Sequence, residues 1–215
     1  YPAPLDMANI SVIMGDHYLE DLRYGVGSVV SLHRKICERM LRTGEPAFFN
    51  LSRRRQDDPD VVSSNACCET NMHNYDSCNL GSIVLPRVRD LSHLEEVVRL
   101  AIQFLYNGSI KADYPLKQIK STVERNRRIG LGFMGLHEFM LMNGYKYEWF
   151  NKLEQTLKVW KEVSDDEAIR YSDYLGGTRP IARRAVAPTG SISIVGEVSS
   201  GLEPVFCSAY KRRYI

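Results

Sequence analysis

Short segments of strand-like composition alternate with longer segments of helical periodicity, and this alternation constrains the fold more than any other feature of the sequence. Segments 8–13 and 47–51 are typical of strands, whereas 28–42 repeats apolar residues at helical spacing until Thr43 and Gly44 end it. Such alternation is typical of α/β proteins whose strands pair mostly in parallel. The sequence therefore predicts an α/β fold, and the lack of an internal repeat or low-complexity linker favours one domain.

The later part of the chain continues the alternation. Helices are predicted over three segments, namely 92–106, 136–142 and 151–174. The first of them opens with a capping box, Ser92 to Glu95. We expect 52–59 to form a solvated polar turn, because charges of opposite sign stand side by side there, and 191–195 to be β-rich.

The composition is that of an ordinary globular protein. Hydrophobic residues make up 44% of the chain and charged residues 25%, which excludes intrinsic disorder and fibrous repeats. The net charge of +2 is small for a nucleic-acid-binding domain, so no direct nucleic-acid partner is expected. No stretch approaches about 18 uninterrupted apolar residues, so no membrane span is expected either.

The cysteines indicate a reducing compartment. There are five of them: Cys37, Cys67, Cys68, Cys78 and Cys207. An odd number, an adjacent pair and no secretory signal at Tyr1–Pro4 fit a cytoplasmic protein better than a disulfide scaffold. The start also lacks an initiator Met, so we expect the chain to be cut from a longer one. Cys37 and Cys207 are expected to be buried free thiols.

The segment 64–70 combines three side chains that can carry chemistry. In an extended segment Asn65, Cys67 and Glu69 would share one face, and Cys68 would face the other way. An amide can fix a substrate by hydrogen bonding, and a carboxylate can accept a proton. A thiol can donate a hydrogen atom or act as a nucleophile. The pattern predicts a thiol–carboxylate site.

Cys78 follows Cys67 by 11 residues, which is enough chain to turn and bring a second sulfur back. Two other interpretations stay open. The cysteines could fall by chance in a loop, or Cys67, Cys68, His73 and Cys78 could bind zinc. Against zinc, adjacent cysteines point to opposite faces of an extended segment, and the usual two-residue spacer is missing.

Gly130 to Gly135 satisfy the pattern G-x-G-x-x-G, which binds dinucleotides when a hydrophobic strand precedes it and an acid follows in a second strand. Here the preceding residues, 124–128, are polar and basic, and the acid at the right distance, Glu154, opens a helix. We therefore expect these glycines to allow close packing of a buried segment.

The segment 187–193 places a Pro-Thr-Gly turn and three hydroxyl groups together. Backbone N–H groups in such a turn, helped by hydroxyls, can form an anion cradle. Beside a thiol–carboxylate site this turn is a candidate for binding substrate phosphates.

Several motifs together resemble the catalytic subunit of ribonucleotide reductase. Six segments carry the resemblance in the order of that family: Gly44–Phe49, Asn65–Glu69, Cys78–Ile83, Arg128–Leu136, Ala187–Ser193 and Ser199–Pro204. They extend over most of the chain, so the resemblance is specific.

The resemblance implies part of a ten-stranded α/β barrel with a central finger loop that carries a thiyl radical. It implies that Cys67 abstracts the ribose 3′ hydrogen, that Glu69 accepts the 3′-hydroxyl proton and that Asn65 holds the ribose hydroxyls. Cys78 would be one of two thiols that reduce the sugar as the 2′-hydroxyl leaves. The substrate phosphates would bind to six residues: Pro188, Thr189, Gly190, Ser191, Ile192 and Ser193.

The spacing from Cys67 to Cys78 and the 188–193 loop are most similar to the adenosylcobalamin-dependent class. The resemblance therefore implies adenosylcobalamin as cofactor, with a separate radical-generating subunit as the alternative. The implied partners are a ribonucleoside di- or triphosphate, a thioredoxin-type reductant and the rest of the reductase chain.

Two departures from the family pattern stand out. First, Ala66 and Cys68 replace the Pro and Gly that are usual in the family. Second, the other redox cysteine of the family would precede this chain, and Cys37, which is predicted to lie in a helix, is a poor substitute. Residues 1–215 are expected to be a partial catalytic barrel domain, without the N-terminal effector region and the last strands, and inactive alone. The alternatives are a non-catalytic or degenerate nucleotide-binding fragment, or a zinc-stabilised interaction module.

Overall fold

The computed structural model describes residues 8–207, 209–211 and 213. The chain divides into two compact units, Tyr1–Asn74 and Tyr75–Ile215. Each unit contains its own pair of parallel strands. That residues 1–215 form one partial barrel domain stays a prediction.

The first unit is built around a parallel strand pair. Its elements are β1 (Ser11–Met14), α1 (Asp16–Arg23), α2 (Gly27–Thr43), β2 (Ala47–Asn50), α3 (Leu51–Asp57), β3 (Ser63–Ser64) and β4 (Asn71–Met72). β1 pairs with β2 so that Ser11 lies opposite Ala47, and α1 and α2 form the connection. Gly44 follows α2 in the left-handed conformation with φ 77°, which confirms the predicted helix end.

The expectation of a solvated turn at 52–59 is wrong, because α3 occupies most of that segment. The side chain of Asn50 caps the helix by accepting a hydrogen bond from the backbone N–H of Arg53. Arg53 also pairs with Asp57 one helical turn later, at 3.1 Å. Opposite charges at this spacing stabilise a helix, which the side-by-side charges of the sequence concealed.

The second unit is larger and contains most of the buried apolar residues. Its elements are β5 (Asn79–Val84), a 3₁₀ turn (Leu85–Arg87), α4 (Leu91–Lys111), α5 (Lys117–Asn126), β6 (Ile129–Met134), α6 (Leu136–Met142), α7 (Asn151–Tyr174) and α8 (Ile192–Gly196). The bounds of α6 and α7 confirm the prediction, whereas α5 was not predicted from the sequence.

Strand β6 forms backbone hydrogen bonds along both edges. β5 pairs with it in parallel, with Asn79 opposite Ile129. On the other edge, Ile129 N–H donates to the carbonyl of Ala182 at 3.0 Å, and Leu131 N–H donates to that of Arg183 at 3.1 Å. Helices lie in the chain between β5 and β6, and again between β6 and this third segment. The predicted α/β fold with parallel pairing is therefore confirmed for β5 and β6.

All six residues of β6 are buried, and α4 and α7 pack into the same core. The core comprises Ile83, Leu85, Leu94, Val98, Ile102, Leu105, Ile129, Leu131, Phe133, Leu136, Phe139, Met140, Phe150, Leu153, Val163 and Ala168.

The N-terminal cap of α4 differs from the prediction. The side chain of Asp90, and not that of Ser92, caps the helix by accepting a hydrogen bond from the backbone N–H of His93. No helix in the described part of the chain is both long and apolar enough to cross a membrane.

The β-rich run expected at 191–195 is instead the short helix α8. Its first turn is closed by Ser193 N–H, which donates to the carbonyl of Thr189 at 3.0 Å. Gly196 at its end packs closely on β6, since a Cβ there would lie 2.9 Å from the terminal methyl of Met134. Local hydrogen bonding and this contact outweigh the strand preference of the two isoleucines.

A buried carboxylate joins α4 to α7. Glu167 on α7 is fully buried and accepts hydrogen bonds from Arg99 at 3.0 Å, Gln103 at 2.7 Å and Arg170 at 2.9 Å. Burial by itself raises the pKa of Glu167, but these hydrogen bonds outweigh it and lower the pKa below the ordinary value of 4.5. Glu167 is therefore ionised at neutral pH.

We expect Glu167→Gln to lower the free energy of unfolding by about 2 kcal/mol at pH 7, because the charge-assisted hydrogen bonds are lost. Since the pKa is lower in the folded state, this contribution is full above the unfolded-state pKa and disappears as pH falls through the folded-state pKa. The two proteins should therefore converge in acid, as measured by urea unfolding at several pH values.

Glu162→Gln on the same helix is the matched control, because Glu162 is exposed and its ion pair with Lys158 is long, at 4.0 Å. Its effect should stay within about 0.5 kcal/mol at every pH. An equal effect of the two substitutions would contradict a special role of Glu167 in joining the helices.

Candidate active site

Residues 65–70, called here the cysteine loop, close the antiparallel hairpin of β3 and β4. Two backbone hydrogen bonds join the two sides of the hairpin. At its open end, Val62 N–H donates to the carbonyl of Met72 at 3.0 Å. At the start of the cysteine loop, Asn65 N–H donates to the carbonyl of Thr70 at 3.1 Å. The expected extended conformation of 64–70 is therefore wrong, because the chain reverses within this segment.

Asn65 shapes the loop with both its backbone and its side chain. Its carbonyl accepts from Cys68 N–H at 3.0 Å, and its Oδ1 accepts from Thr70 N–H at 3.0 Å. The second bond depends on the asparagine side chain, which commonly stabilises turns by bonding to nearby backbone groups. The amide oxygen is thus used within the loop, so the Nδ2 hydrogens are the group that Asn65 can offer to a substrate oxygen.

Cys67 lies at the tip of the hairpin and is exposed. Partial desolvation, the charge of Glu69 and the neighbouring Cys68, in that order, raise the pKa of the Cys67 thiol. The thiol therefore carries its proton at neutral pH. A protonated thiol can donate a hydrogen atom, whereas nucleophilic attack requires the thiolate.

Glu69 contains a buried oxygen that lacks a partner. Among the described residues, no hydrogen-bond donor contacts its Oε2, and the same is true of the buried Oγ1 of Thr70 beside it. Buried polar atoms are nearly always paired, so unpaired ones require an explanation. Two adjacent examples fit a site that a polar ligand would complete. The sequence pattern gave no indication that Thr70 belongs to the candidate site.

The thiol of Cys68 has different surroundings from that of Cys67. Its sulfur accepts a hydrogen bond from the hydroxyl of Ser64 at 3.3 Å and lies 3.5 Å from the hydroxyl of Ser11. The backbone of Cys68 is left-handed, with φ 64°. The two thiols differ because of the turn, and not because of the strand alternation expected from the sequence.

Cys78 immediately precedes β5 in the second unit and is half-buried. Its sulfur would lie 3.3 Å from a Cβ at residue 130, so Gly130 leaves the space that this side chain occupies. Two residues earlier, Asp76 forms a buried ion pair with Arg128 at 2.6 Å and accepts from Asn126 at 2.9 Å. These contacts fix the chain from which Cys78 projects.

The predicted phosphate loop lies beside the strand that follows Cys78. Gly190 and Ser191 form a turn, as expected, and a cavity of about 280 Å³ separates it from β5. The cavity is lined by Leu80, Gly81, Ser82, Ala187, Thr189, Gly190, Ser191 and Ile192. The structure therefore brings this loop together with the start of β5. That Cys78 approaches Cys67 stays a prediction.

The three hydroxyl groups of this loop differ in their contacts. Oγ1 of Thr189 accepts from the N–H of Gly201 at 2.7 Å, and Oγ of Ser193 contacts that of Ser200 at 3.1 Å. Both side chains are buried and hold the loop to residues 199–204. Ser191 is exposed and lines the cavity, so its hydroxyl is the one best placed for a ligand.

The glycine-rich segment serves packing, as predicted. A Cβ on Gly132 would lie 2.3 Å from the carbonyl oxygen of Ala185, and one on Gly130 would lie 2.5 Å from the side chain of Leu80. Both distances are shorter than real contacts, so only glycine allows β6 to approach its neighbours this closely.

The zinc interpretation finds no support in the geometry. His73 is buried and forms a hydrogen bond from Nε2 to Oδ1 of Asp58 at 2.7 Å. Within residues 8–207, 209–211 and 213, no three His, Cys, Asp or Glu side chains are arranged to hold a metal ion.

We expect Cys68→Gly to be more stable than Cys68→Ala by about 1 kcal/mol, because glycine adopts a positive φ without strain from a Cβ. Urea unfolding of the two variants measures the difference. The same pair of substitutions at Cys37, inside helix α2, should give the opposite order by about 1 kcal/mol. Equal stability of the two variants at position 68 would contradict strain there.

We also expect Glu69→Gln to lower the pKa of Cys67, because the negative charge that opposes the thiolate is removed. Alkylation of Cys67 by iodoacetamide at pH 8 should then be faster than in the unmodified protein. Glu38→Gln on α2 removes the same charge at an exposed position and should leave the rate unchanged. An unchanged alkylation rate at pH 8 in Glu69→Gln would show that the carboxylate does not influence the thiol.

Comparisons with known proteins are consistent with this α/β fold. A family model described as "Ribonucleotide reductase, barrel domain" matches residues 18–173. The chain therefore belongs to the ribonucleotide reductase barrel-domain family, as the sequence motifs indicated.

Curated relatives carry names from the cobalamin-dependent branch. The chain is 29% identical over 210 residues to the "Vitamin B12-dependent ribonucleoside-diphosphate reductase" of Thermoplasma acidophilum. It is 30% identical over 190 residues to the "Putative adenosylcobalamin-dependent ribonucleoside-triphosphate reductase" of Mycobacterium phage D29. Each match covers 84% of this chain and 27% of the relative, so the chain spans about a quarter of their length.

Solved structures support the fold. The class Id ribonucleotide reductase alpha subunit of Actinobacillus ureae matches with a TM-score of 0.74 at 23% identity, over 94% of this chain and 44% of that one. A B12-dependent, class II ribonucleotide reductase matches with a TM-score of 0.59 at 23% identity, over 67% of this chain and 23% of that one. The fold is thus that of a ribonucleotide reductase barrel domain.

Proposed function

We propose that this chain is part of the catalytic barrel of a ribonucleotide reductase that makes deoxyribonucleotides for DNA synthesis by radical chemistry. The observation that carries the proposal is the cysteine loop, in which a protonated thiol lies two residues from a carboxylate with an unpaired buried oxygen. This combination suits a reaction that needs both a hydrogen-atom donor and a proton acceptor.

Three residues of the cysteine loop each have one part in the proposed reaction. The Cys67 thiyl radical takes the hydrogen atom from C3′ of the ribose, so the S–H bond re-forms and the radical passes to the sugar. Glu69 accepts the 3′-hydroxyl proton on its unpaired Oε2. Asn65 donates from Nδ2 to a ribose hydroxyl, since its Oδ1 is already held by Thr70.

The reducing electrons come from thiols. Cys78 and a second cysteine, which in the family lies on an earlier strand, become a disulfide as the 2′-hydroxyl leaves as water. Two thiol hydrogens are consumed, and a thioredoxin-type reductant restores the pair. The space that Gly130 leaves and the buried Asp76–Arg128 ion pair keep Cys78 in place for this step.

The substrate is a ribonucleoside di- or triphosphate, since relatives of both names match the chain. Its phosphates bind at Pro188, Thr189, Gly190, Ser191, Ile192 and Ser193. The cavity of about 280 Å³ beside the turn and the exposed Ser191 support this assignment.

The proposed cofactor is adenosylcobalamin, after the names of the relatives, with a separate radical-generating subunit as the alternative. Cys67 fits such a cofactor, because its thiol is exposed at the tip of a hairpin and carries its hydrogen. When bound, adenosylcobalamin supplies a carbon-centred radical that can remove the hydrogen of a thiol.

The finer fold assignment follows from the same family. We propose that the strands belong to a ten-stranded α/β barrel, with the β3–β4 hairpin as its central finger loop, completed by the rest of the reductase chain. We further propose that the enzyme works in the cytoplasm, without a membrane or direct nucleic-acid partner. The 215 residues alone are expected to be inactive.

The cysteine assignment is tested in the reductase that contains this chain. Cys67→Ser should abolish deoxyribonucleotide formation and the loss of the 3′ hydrogen, because a serine O–H bond is too strong to replace the S–H bond. Cys68→Gly should retain or improve both, since it restores the residue usual in the family and removes a competing thiol. Product analysis with substrate labelled at C3′ measures both reactions.

Equal loss of activity in the two variants would contradict the assignment of Cys67.

A second candidate function is a degenerate nucleotide-binding fragment, which Ala66 and Cys68 favour because they depart from the family pattern. Nucleotide binding without any reduction in the unmodified protein would support that second function.

A further inference from the structure

The arginines of α3 differ sharply in what they contact. Arg53 is exposed and pairs with Asp57 on its own helix at 3.1 Å. Arg55 donates from Nε to the carbonyl of Val61 at 2.9 Å, just before the hairpin. Arg54 alone among the three reaches the cysteine loop.

Arg54 contacts the hairpin with two different nitrogens. Its Nη2 donates to the carbonyl of Cys68 at 3.2 Å, and its Nη1 donates to Oδ1 of Asn71, the first residue of β4, at 2.5 Å. The guanidinium also lies over the ring of Phe49 in β2, with Cζ 5.4 Å from the ring centroid. Phe49 is almost completely buried, so the guanidinium has a fixed surface behind it.

The carbonyl of Cys68 belongs to the peptide that links Cys68 to Glu69. Its direction follows from the left-handed backbone of Cys68, which an L-residue adopts only when its surroundings enforce it. A charge-assisted hydrogen bond to this carbonyl opposes relaxation of the turn. On the other side of the loop, Asn9 donates to the carbonyl of Ala66 at 3.3 Å, so the residues on either side of Cys67 are each held by a neighbouring segment.

We propose that Arg54 is a positioning residue for the reactive thiol and carboxylate, which acts by holding the Cys68–Glu69 peptide against α3 and β2. The inference rests on the proposed roles of Cys67 and Glu69. Arg54 itself touches neither a substrate nor the Cys67 sulfur in this scheme. Its planar fork is required because a lysine ammonium cannot reach two separate acceptors with fixed geometry.

The test uses the full chain and measures the alkylation of Cys67 and Cys68 separately, by mass spectrometry after timed exposure to iodoacetamide. In the unmodified protein the exposed Cys67 should react faster than the half-buried Cys68. In Arg54→Ala the loop opens locally, so Cys68 should react about tenfold faster while Cys67 changes little. Millimolar methylguanidinium should restore slow alkylation of Cys68 by occupying the vacated site.

Arg53→Ala is the matched control, because it removes the neighbouring positive charge from the same helix without touching the loop. It should leave both alkylation rates unchanged. Arg54→Lys keeps the charge and the aliphatic stem, and should show intermediate protection of Cys68. This variant carries the test if Arg54→Ala does not fold.

A reductase assay separates positioning from a general structural role. In the reductase that contains this chain, Arg54→Lys should lower kcat with KM nearly unchanged, because phosphate binding is assigned to another loop. Unchanged alkylation of Cys68 in both Arg54 variants, or the same acceleration in Arg53→Ala, would overturn the proposal. Because alkylation needs no turnover, failure of the proposed reductase function would leave this result intact.

Discussion

The second unit depends on the close burial of β6 between its partner strand β5 and the segment 182–186. Gly130 and Gly132 make this approach possible, since a Cβ on Gly132 would meet the carbonyl oxygen of Ala185 at 2.3 Å. The segment that includes Ala185 leads directly into the 188–193 loop. A side chain at residue 132 would therefore displace the segment that carries the proposed phosphate site, as well as disturbing the core. The absence of a side chain at residue 132 is thus required both for core packing and for the position of the 188–193 loop.

The cysteine loop obeys a different constraint, because its shape comes from polar contacts and not from a large apolar core. Asn65 closes the turn through its carbonyl and its side chain, and Arg54 holds the far side. The loop nonetheless retains a left-handed Cys68 and an unpaired oxygen on Glu69. Such unfavourable features concentrate at functional sites, where the surrounding contacts maintain them.

The sequence predicted the elements whose signals are local and extend over several turns. The long helix α7 and the end of α2 at Gly44 follow from apolar periodicity and a terminating glycine. The short helices α3 and α8 were missed, because single capping bonds and i,i+4 pairs decide them and composition does not. Strand alternation predicted Asn65, Cys67 and Glu69 on one face of an extended segment, but the chain turns there. That their side chains share a face stays a prediction.

The proposed role of Arg54 could not be predicted from the sequence, because it also depends on contacts between distant segments. Its partners, Cys68 and Asn71, are 14 and 17 residues away, and nothing local distinguishes Arg54 from the exposed Arg53 beside it. The unpaired hydroxyl of Thr70 is likewise a property of packing. A sequence can indicate which residue types are available for chemistry, but the contacts that hold them depend on segments brought together by the fold.

The electrostatics of the cysteine loop distinguish between two kinds of cysteine chemistry. Nucleophilic cysteines lie beside cationic groups that lower the thiol pKa and stabilise the thiolate. Here burial first, and then the charge of the Glu69 carboxylate, raise the pKa of the Cys67 thiol, so the proton stays on sulfur. A hydrogen-atom donor needs that S–H bond, and a carboxylate beside the thiol can accept a proton from a substrate hydroxyl. One negative charge thus serves both halves of the proposed reaction and disfavours nucleophilic attack by the same thiol.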